Sequence, residues 1–332
     1  MILTTDLHLT DNPNDEYRWT IFDVLKETAQ ELNDKDIFIL GDLTDRKDRH
    51  SAELVNRLCS NLIKLTNVAF VTIIKGNHDA PLQGVPYWSF LPDLHTFHNL
   101  RFVTKPDWHN HIALLPHADR PREEWSVNGM NWEAAACIFM HQTVTGSQGQ
   151  NGRELENKHM PPLPDVPIYS GDIHVAQTVG QVCYIGTPYP IDFGDTGPFR
   201  LLQLNKQYRI QFEIPMDIMR KHMLRIEDIR SLDATDTKRG DQAKIIFSLD
   251  VNALDTWPRI QDEIASWASA RDVQIVSCEP EISGTAIGKD ATGPAPEADL
   301  KTVLAMFGTE EELDARMLEV GEEILNEEIG NV

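Results

Sequence analysis

Cysteine is scarce in this sequence, which has four among its 332 residues. Cys59, Cys137, Cys183 and Cys278 are far apart and show no paired spacing. This spacing argues against a disulfide framework and against a metal site built from cysteine pairs. Three of the four lie in apolar stretches, so we expect buried thiols.

Basic residues are also few: 30 Lys and Arg stand against 52 Asp and Glu, for a formal net charge of −22. Such a surface does not attract a phosphate backbone, so any contact with nucleic acid must be local. No apolar run approaches the roughly 20 residues of a membrane span, and no signal segment follows Met1. We expect a cytoplasmic protein without a membrane contact, in the host cytoplasm if it is encoded by a phage.

What the first 200 residues do contain is an alternation of short apolar runs and amphipathic stretches, which is typical of α/β layers. The predicted strands are rich in β-branched residues, and most are followed by Gly, Asp, Asn or His. They cover residues 2–5, 37–40, 68–74, 112–115, 137–140, 168–170 and 182–185. Apolar residues at helical spacing over 22–32 and 54–65 predict a helix after each of the first two strands.

The pattern changes near residue 206. A strand over 244–249, a helix over 257–270 and a strand over 273–277 predict a small β-α-β cap, with Asp255 or Thr256 capping the helix. A segment rich in Gly, Pro, Ala and Thr indicates a linker. We therefore predict an α/β (α+β) chain with a catalytic domain over 1–205, a cap over 206–282, a linker over 283–299 and an amphipathic C-terminal helix over 300–332. That helix either packs on its own domain or binds a partner.

Five short motifs follow predicted strands. They are Asp6-Leu7-His8, Gly41-Asp42-Leu43-Thr44-Asp45, Gly76-Asn77-His78-Asp79, His141 and Gly171-Asp172-Ile173-His174. Ligands of α/β sheets collect beyond the carboxyl ends of the strands, so these distant side chains can converge. A Gly-Asn-His-Asp motif arises by chance in only about a few of a thousand such chains. The set predicts a metal site rather than polar residues that merely complete turns.

In this order the motifs resemble those of the calcineurin-like metallophosphoesterase superfamily, and the resemblance covers about residues 1 to 200. It implies a β-sandwich flanked by helices, with two metals at its edge. The residues that it assigns to one metal are Asp6, His8, Asp42 and His174, and those that it assigns to the other are Asp42, Asn77, His141 and Asp172. Asp42 would bridge the two metals.

This mixture of carboxylate, amide and imidazole ligands suits two Mn²⁺ ions, with Mg²⁺, Fe or Zn²⁺ as alternatives. Two such cations activate a water and neutralise phosphate oxygens, so no nucleophilic side chain is needed. His78 follows the ligand Asn77 and is expected to stabilise the transition state or protonate the leaving oxygen. We expect Asp45 to orient His78.

Within the superfamily, the sequence is most similar to the nuclease subunit of the double-strand-break repair complex, the bacterial SbcD type and its phage counterparts. The likeness is carried by residues 139–143, 171–177, 184–188 and 193–195. It implies a DNA exonuclease or endonuclease in repair, recombination or replication. The implied partners are DNA, an SMC-like ATPase subunit of the SbcC type docked by the C-terminal region, and a second copy of the chain in a homodimer.

Two residues depart from that pattern. Asp172 stands where cellular members usually have histidine, and Asp45 where they often do. Asp172 still offers a hard oxygen for Mn²⁺ or Mg²⁺, while an aspartate at position 45 is common in superfamily phosphatases. A stand-alone phosphatase or cyclic-nucleotide phosphodiesterase is therefore the alternative function, and a non-catalytic scaffold that has lost one metal is a third.

Basic residues next to the second motif are the candidates for DNA contacts. Arg46, Lys47 and Arg49 come first, and Arg120 and Arg122 are weaker candidates. A solvated basic loop would look the same. The loop over residues 146–167 either forms one wall of the cleft or only connects two ligand segments.

Overall fold

A computed structural model describes residues 1–81, 85–90, 99–126, 129–195 and 197–283 of the chain. One compact unit contains Met1–Ser248 and Thr256–Glu281. A second contains Leu249–Asp255 and Ile282–Val332, and its described part includes most of a 3₁₀ helix, Val251–Thr256. The C-terminal helix and nearly all of the linker lie outside the described residues, and the domain boundaries stay predictions. Within the described ranges, no helix has the length and apolarity to span a membrane.

Two six-stranded sheets form the centre of the first unit. The strands are β1 (Ile2–Thr4), β2 (Asp36–Ile39), β3 (Phe70–Ile74), β4 (Leu100–Val103), β5 (Asp107–His109), β6 (Ile112–Leu115), β7 (Cys137–His141), β8 (Ile168–Gly171), β9 (Gln177–Val179), β10 (Val182–Tyr184), β11 (Arg200–Leu204) and β12 (Ile210–Pro215). One sheet has the order β12-β11-β1-β2-β3-β4, with β1 to β4 parallel. The other has the order β5-β6-β7-β8-β10-β9, with β6, β7, β8 and β10 parallel.

Alternating side chains of β2 show how the sheets are packed. Phe38 lies between the sheets, where its ring meets that of Phe139 from β7 at a centroid distance of 4.9 Å. Ile37 and Ile39 point to the opposite face, which helices α1 (Ile21–Glu31) and α2 (Ala52–Thr66) cover. This period of two is the strand pattern of a sheet buried on both faces. Truncation of Phe139 to alanine would cost about 3 to 5 kcal/mol.

The outer face of the second sheet carries two buried tryptophans. Trp125 follows helix α3 (Pro121–Glu124), and its ring lies 5.9 Å from that of Trp132 in an edge-on contact. Trp88 is fully buried against the first sheet and its helices. These three rings therefore belong to the hydrophobic core. The predicted β-sandwich flanked by helices is confirmed.

The predicted strand, helix and strand of the cap are present as β14 (Gln242–Asp250), helix α4 (Trp257–Arg271) and β15 (Gln274–Ser283). A further strand, β13 (Lys221–Ile226), pairs in parallel with β14. Thr256 occupies the N-cap position of α4, but its side chain makes no capping hydrogen bond because its backbone is helical rather than extended. Buried Lys221 anchors β13 through Nζ contacts to Asp15 Oδ1 at 3.1 Å and to the Ile191 carbonyl at 2.9 Å.

Candidate metal centre

The seven predicted metal ligands lie at the carboxyl ends of parallel strands. They are Asp6 and His8 after β1, Asp42 after β2, Asn77 after β3, His141 at the end of β7, and Asp172 and His174 after β8. Parallel strands of one sheet end at one edge, which gathers these residues although they span most of the catalytic region. The structure thus brings together ligands from both sheets.

The backbone turns sharply at four of these residues. Asp6, His8, Asp42 and Asp172 have positive φ angles of 52°, 41°, 55° and 80°. A non-glycine residue in this region costs on the order of 1 to 3 kcal/mol and persists where the surrounding structure imposes it. Four such residues in one cluster indicate that the backbone is strained here, at a cost in stability, so that the side chains converge on one point.

Two glycines allow the backbone to approach the ligands closely. A Cβ on Gly76 would lie 2.0 Å from Asp42 Oδ1, and one on Gly41 would lie 2.2 Å from His141 Nδ1. Gly41 also has a φ of +98°. Any side chain at either position would displace a ligand, which gives these motif glycines a steric cause.

One side of the centre, which we call the His174 half, consists of Asp6, His8 and His174. Their ligand atoms all lie within 4.8 Å of one another. His8 Nε2 is 3.1 Å from His174 Nε2, 3.5 Å from Asp42 Oδ2 and 4.0 Å from Asp6 Oδ1. Asp6 Oδ2 is buried without a hydrogen-bond partner in the described part of the chain. A buried carboxylate oxygen of this kind needs a cation or a donor.

The other side, the His141 half, consists of Asn77, Asp42 and His141. The Asn77 side-chain oxygen lies 3.0 Å from His141 Nε2 and about 3 Å from both Asp42 oxygens. A rotated amide would instead donate to these atoms through its nitrogen. The orientation with the oxygen inward is the one that a cation shared by the three residues requires. His141 Nδ1 donates to the Leu40 carbonyl at 2.5 Å, which leaves Nε2 directed at the centre.

Asp172 lies between the two halves. Its Oδ1 is 3.9 Å from His141 Nε2, and its backbone N–H donates to Asp6 Oδ1 at 3.2 Å. The hydroxyl of Thr143 donates to Asp172 Oδ2. The carboxylate therefore faces the predicted metal site, with one oxygen held by Thr143 and the other turned to the ligands.

His78 lies at the boundary of the centre. Its backbone N–H donates to Asp42 Oδ1 at 2.8 Å, and its ring lies 4.7 Å from that of His8. His78 Nδ1 donates to the backbone carbonyl of Asp45, whereas the Asp45 carboxylate lies 3.4 Å from His8 Nδ1. Asp45 therefore contacts His78 through its backbone, and its side chain is directed at His8. A further group within 4.8 Å, formed by His8, Asp42 and His78, places His78 within reach of a metal.

Three residues that sequence reasoning left without a role support these ligands. Fully buried Asp79 accepts hydrogen bonds from the backbone N–H groups of Asp42, Leu43 and Gly76 at 2.9, 3.0 and 2.7 Å. Gln150 Nε2 donates to His174 Nδ1 at 2.9 Å and to Asp195 Oδ1 at 2.7 Å. The loop over residues 146–167 therefore reaches the centre through Gln150. In the sequence, the only indication of a role for Asp79 and Asp195 was that they lie in the motif over 76–79 and in the segment over 193–195.

The buried carboxylates of the centre need positive charge close to them. Burial raises the pKa of Asp6, and Asp42 adds to this effect. Burial also raises the pKa of Asp42, but His141 and His8 outweigh it and hold that pKa below its usual range. Burial lowers the pKa of His141, yet the nearby carboxylates of Asp42 and Asp6 bring it well above the usual value. A bound cation would replace the protons that these imidazoles retain.

Two clefts adjoin the centre, and the predicted DNA contacts are divided between them. The first, the arginine cleft, has a volume of about 570 Å³ and is lined by Asp45, Arg46, Arg49 and Tyr87, among others. Asp11, Asp15 and Asp48 line it too. The second, the lysine cleft, has a volume of about 300 Å³. Its lining includes Lys47, Lys75, Asn77, Lys105 and His117.

The weaker candidates for DNA contacts are directed elsewhere. Arg122 donates to the Met160 carbonyl at 3.4 Å, and exposed Arg120 lies 3.5 Å from Glu123. Neither residue lines one of the two clefts.

This arrangement defines a metal-dependent phosphoester hydrolase. A profile of the calcineurin-like phosphoesterase family matches residues 1–176, and the chain belongs to that family. Among solved structures, it is similar to the nuclease MPE of Pseudomonas putida, with 14% identity over 63% of this chain and 84% of that chain and a TM-score of 0.32. No curated protein matches the chain.

Proposed function

We propose that this phosphoesterase is a nuclease that cleaves phosphodiester bonds of DNA in repair, recombination or replication. The observation that carries the proposal is the position of the two clefts. The arginine cleft adjoins the His174 half at Asp45, and the lysine cleft adjoins the His141 half at Asn77. A substrate that fills both is longer than a single phosphate. Arg46 and Arg49 in one cleft and Lys47 in the other place basic side chains beside the centre of this acidic chain.

The ligand set fits two divalent cations, and Mn²⁺ is the proposed pair, with Mg²⁺, Fe or Zn²⁺ as alternatives. Asp6, His8 and His174 would hold one, Asn77, His141 and Asp172 the other, and Asp42 both. When bound, the cations activate a water and neutralise the phosphate oxygens. His78 donates a proton to the leaving oxygen while its Nδ1 stays bonded to the Asp45 carbonyl. The basic side chains of the clefts position the strand.

The proposed assembly contains an SMC-like ATPase subunit of the SbcC type and a second copy of the chain. It is supported by the likeness of residues 139–143, 171–177 and 184–188 to the SbcD-type nuclease subunits. The segment proposed to dock the ATPase, residues 300–332, carries apolar side chains at helical spacing on an acidic background.

End-labelled DNA tests the proposal. The chain is incubated with linear and single-stranded DNA in Mn²⁺ and in Mg²⁺, alone and with a neighbouring SMC-like ATPase and ATP. We expect shortened products in Mn²⁺ that increase when the ATPase is present, and none from His78→Ala. Brisk hydrolysis of a phosphomonoester with intact DNA under every condition would contradict a nuclease.

That second outcome would instead support a phosphatase or cyclic-nucleotide phosphodiesterase. The acidic lining of the arginine cleft favours this alternative, because Asp11 and Asp48 repel a polyanion more than a small monoester. The ratio of kcat/KM for p-nitrophenyl phosphate to that for bis(p-nitrophenyl) phosphate separates a phosphatase from a nuclease, and hydrolysis of a cyclic nucleotide with intact DNA identifies a cyclic-nucleotide phosphodiesterase. A nuclease should prefer the diester.

A further inference from the structure

The lysine cleft is built by the ends of three strands. Lys75 directly follows β3, Lys105 lies two residues beyond β4, and His117 lies two residues beyond β6. The backbone N–H of Lys75 donates to the Val103 carbonyl, and that of His117 to the Lys75 carbonyl, both at 2.9 Å. The first bond continues the pairing of β3 with β4, and the second joins the two sheets, so the cleft wall is part of the same rigid edge as the metal centre.

The charges in the cleft are not balanced. Within the described ranges, Lys47, Lys75 and Lys105 form no ion pair and no side-chain hydrogen bond. Two carboxylates, Asp119 and Glu124, share the wall. Three ammonium groups against two carboxylates leave the lining of the cleft with one excess positive charge, while the fully buried carboxylate of Asp79, outside that lining, also acts on Lys75.

His117 lies on the wall of the cleft, and its ring is 6.2 Å from that of His141. It can donate or accept a hydrogen bond at the cleft wall. The recognition element is therefore a set of lysine point charges beside an imidazole, and this chemistry suits a phosphate.

The cleft and the metal centre share a residue. Asn77 lines the cleft, while its side-chain oxygen faces Asp42 and His141. An anion in the cleft would thus neighbour the group that reacts at the centre. A free phosphomonoester needs only the centre, whereas a strand carries a further phosphate into the space beside it.

We propose that Lys47, Lys75 and Lys105 bind the phosphate of a nucleic-acid strand that neighbours the scissile phosphodiester. This inference deepens the proposed function and rests on it. Lys47 was among the predicted DNA contacts, while Lys75 and Lys105 become apparent only from the fold.

The test measures binding of the full chain to a fluorescent single-stranded oligonucleotide by anisotropy, with Ca²⁺ in place of Mn²⁺, over a series of salt concentrations. The test variant is Lys75→Gln/Lys105→Gln. The matched control is Lys26→Gln/Lys64→Gln, which removes the same charge from exposed positions on α1 and α2. Because the lysines bind a single phosphate, loss of two of them should weaken binding about tenfold and reduce the slope of log K against log salt by up to about 0.7. Lys75→Arg/Lys105→Arg should retain both affinity and slope.

Three other outcomes would contradict the cleft proposal or the nuclease proposal, each in a different way. If the glutamine variant binds like wild type, or the control loses as much, the cleft does not bind the strand, although cleavage by wild type would still support a nuclease. If wild type hydrolyses bis(p-nitrophenyl) phosphate but neither binds nor cleaves the oligonucleotide, the nuclease proposal itself is wrong. If micromolar thymidine 5′-monophosphate displaces the oligonucleotide from wild type but not from the glutamine variant, the ligand is a free phosphomonoester. Thermal unfolding of every variant checks its fold.

Discussion

The two halves of the metal centre are held in different ways. In the His141 half, the ligand ring is fully buried and bonded to the backbone carbonyl of Leu40 at the end of β2. In the His174 half, the ring is half-buried and bonded to exposed Gln150, a side chain of the loop over residues 146–167. A backbone carbonyl of a central sheet cannot move independently of the fold, whereas a loop side chain can.

This difference indicates an order of metal binding. The His141 half is arranged before a cation arrives, so little conformational entropy is lost when one binds. The His174 half must also order Gln150 and His174. We expect the tighter metal site in the His141 half and an exchangeable one in the His174 half.

The largest effect should come from removing the buried ligand. His141→Ala should lower kcat/KM for bis(p-nitrophenyl) phosphate by more than about 10³-fold, because a cation supplies several kcal/mol of transition-state stabilisation. His174→Ala should cost about 10²-fold, since Asp6, His8 and Asp42 remain. Metal content by mass spectrometry should fall in both, and the remaining metal should dialyse away more slowly from His174→Ala. The reverse order of retention would contradict the comparison, and His111→Ala serves as an exposed control.

A smaller loss of activity is expected from a change at His78, which lies at the boundary of the centre. His78→Ala should lower kcat by about 10² to 10³-fold, within the range for a lost general acid. Both metals should remain, because the expected ligands are untouched and the bond from the His78 backbone to Asp42 does not need the ring. A leaving group of low pKa should rescue the variant, since it needs no proton. If a metal is lost, His78 is a ligand of the His174 half and the assigned role is wrong.

The loop contact of the His174 half offers a finer test. Gln150→Ala should weaken the looser metal site by about tenfold, the lower bound for a residue that orients a ligand. Isothermal titration with Mn²⁺ should show one transition shifted and the tighter one unchanged. Gln181→Ala removes another exposed glutamine, whose side chain bonds, among the described residues, to the carbonyls of Leu163 and Pro164. A shift of the tight site in Gln150→Ala would show that the halves are not held independently.

The sequence predicted the central strands because their composition is local. The predicted strand over 112–115 is β6 without change, and the other six agree with β1, β2, β3, β7, β8 and β10 to within two residues at each end. β11 and β12 were missed as parts of the first sheet, since β11 pairs with β1 about 200 positions earlier and β12 joins the sheet through β11. Short edge strands such as β5 and β9 have too few residues to show a period.

The ligands were predictable because each follows a strand in a short motif, but the residues that hold them were not. Asp79 acquires its role only when its carboxylate meets the backbone of Asp42 and Leu43, and Gln150 lies in a loop of ordinary polar composition. The direction of the Asp45 side chain depends on the turn that follows β2, which placed it beside His8 instead of His78. When a ligand is held by backbone geometry, no residue pattern in the sequence marks the residues that hold it.

The last test compares the stability of the His141 half in acid with that of the rest of the chain. His117 lies beside the His141 half, 6.2 Å from the His141 ring, and its pKa is lowered to about 4. The unfolded chain therefore binds a proton between about pH 6.5 and pH 4 that the folded chain does not, so stability falls as the pH falls through this window. From pH 7.5 to pH 4.5, His117 should account for a loss of about 2 to 3 kcal/mol in the free energy of unfolding. Urea unfolding should show that loss in wild type and in the exposed control His111→Gln, and a correspondingly smaller one in His117→Gln. Equal losses in all three would place the acid sensitivity outside the His141 half.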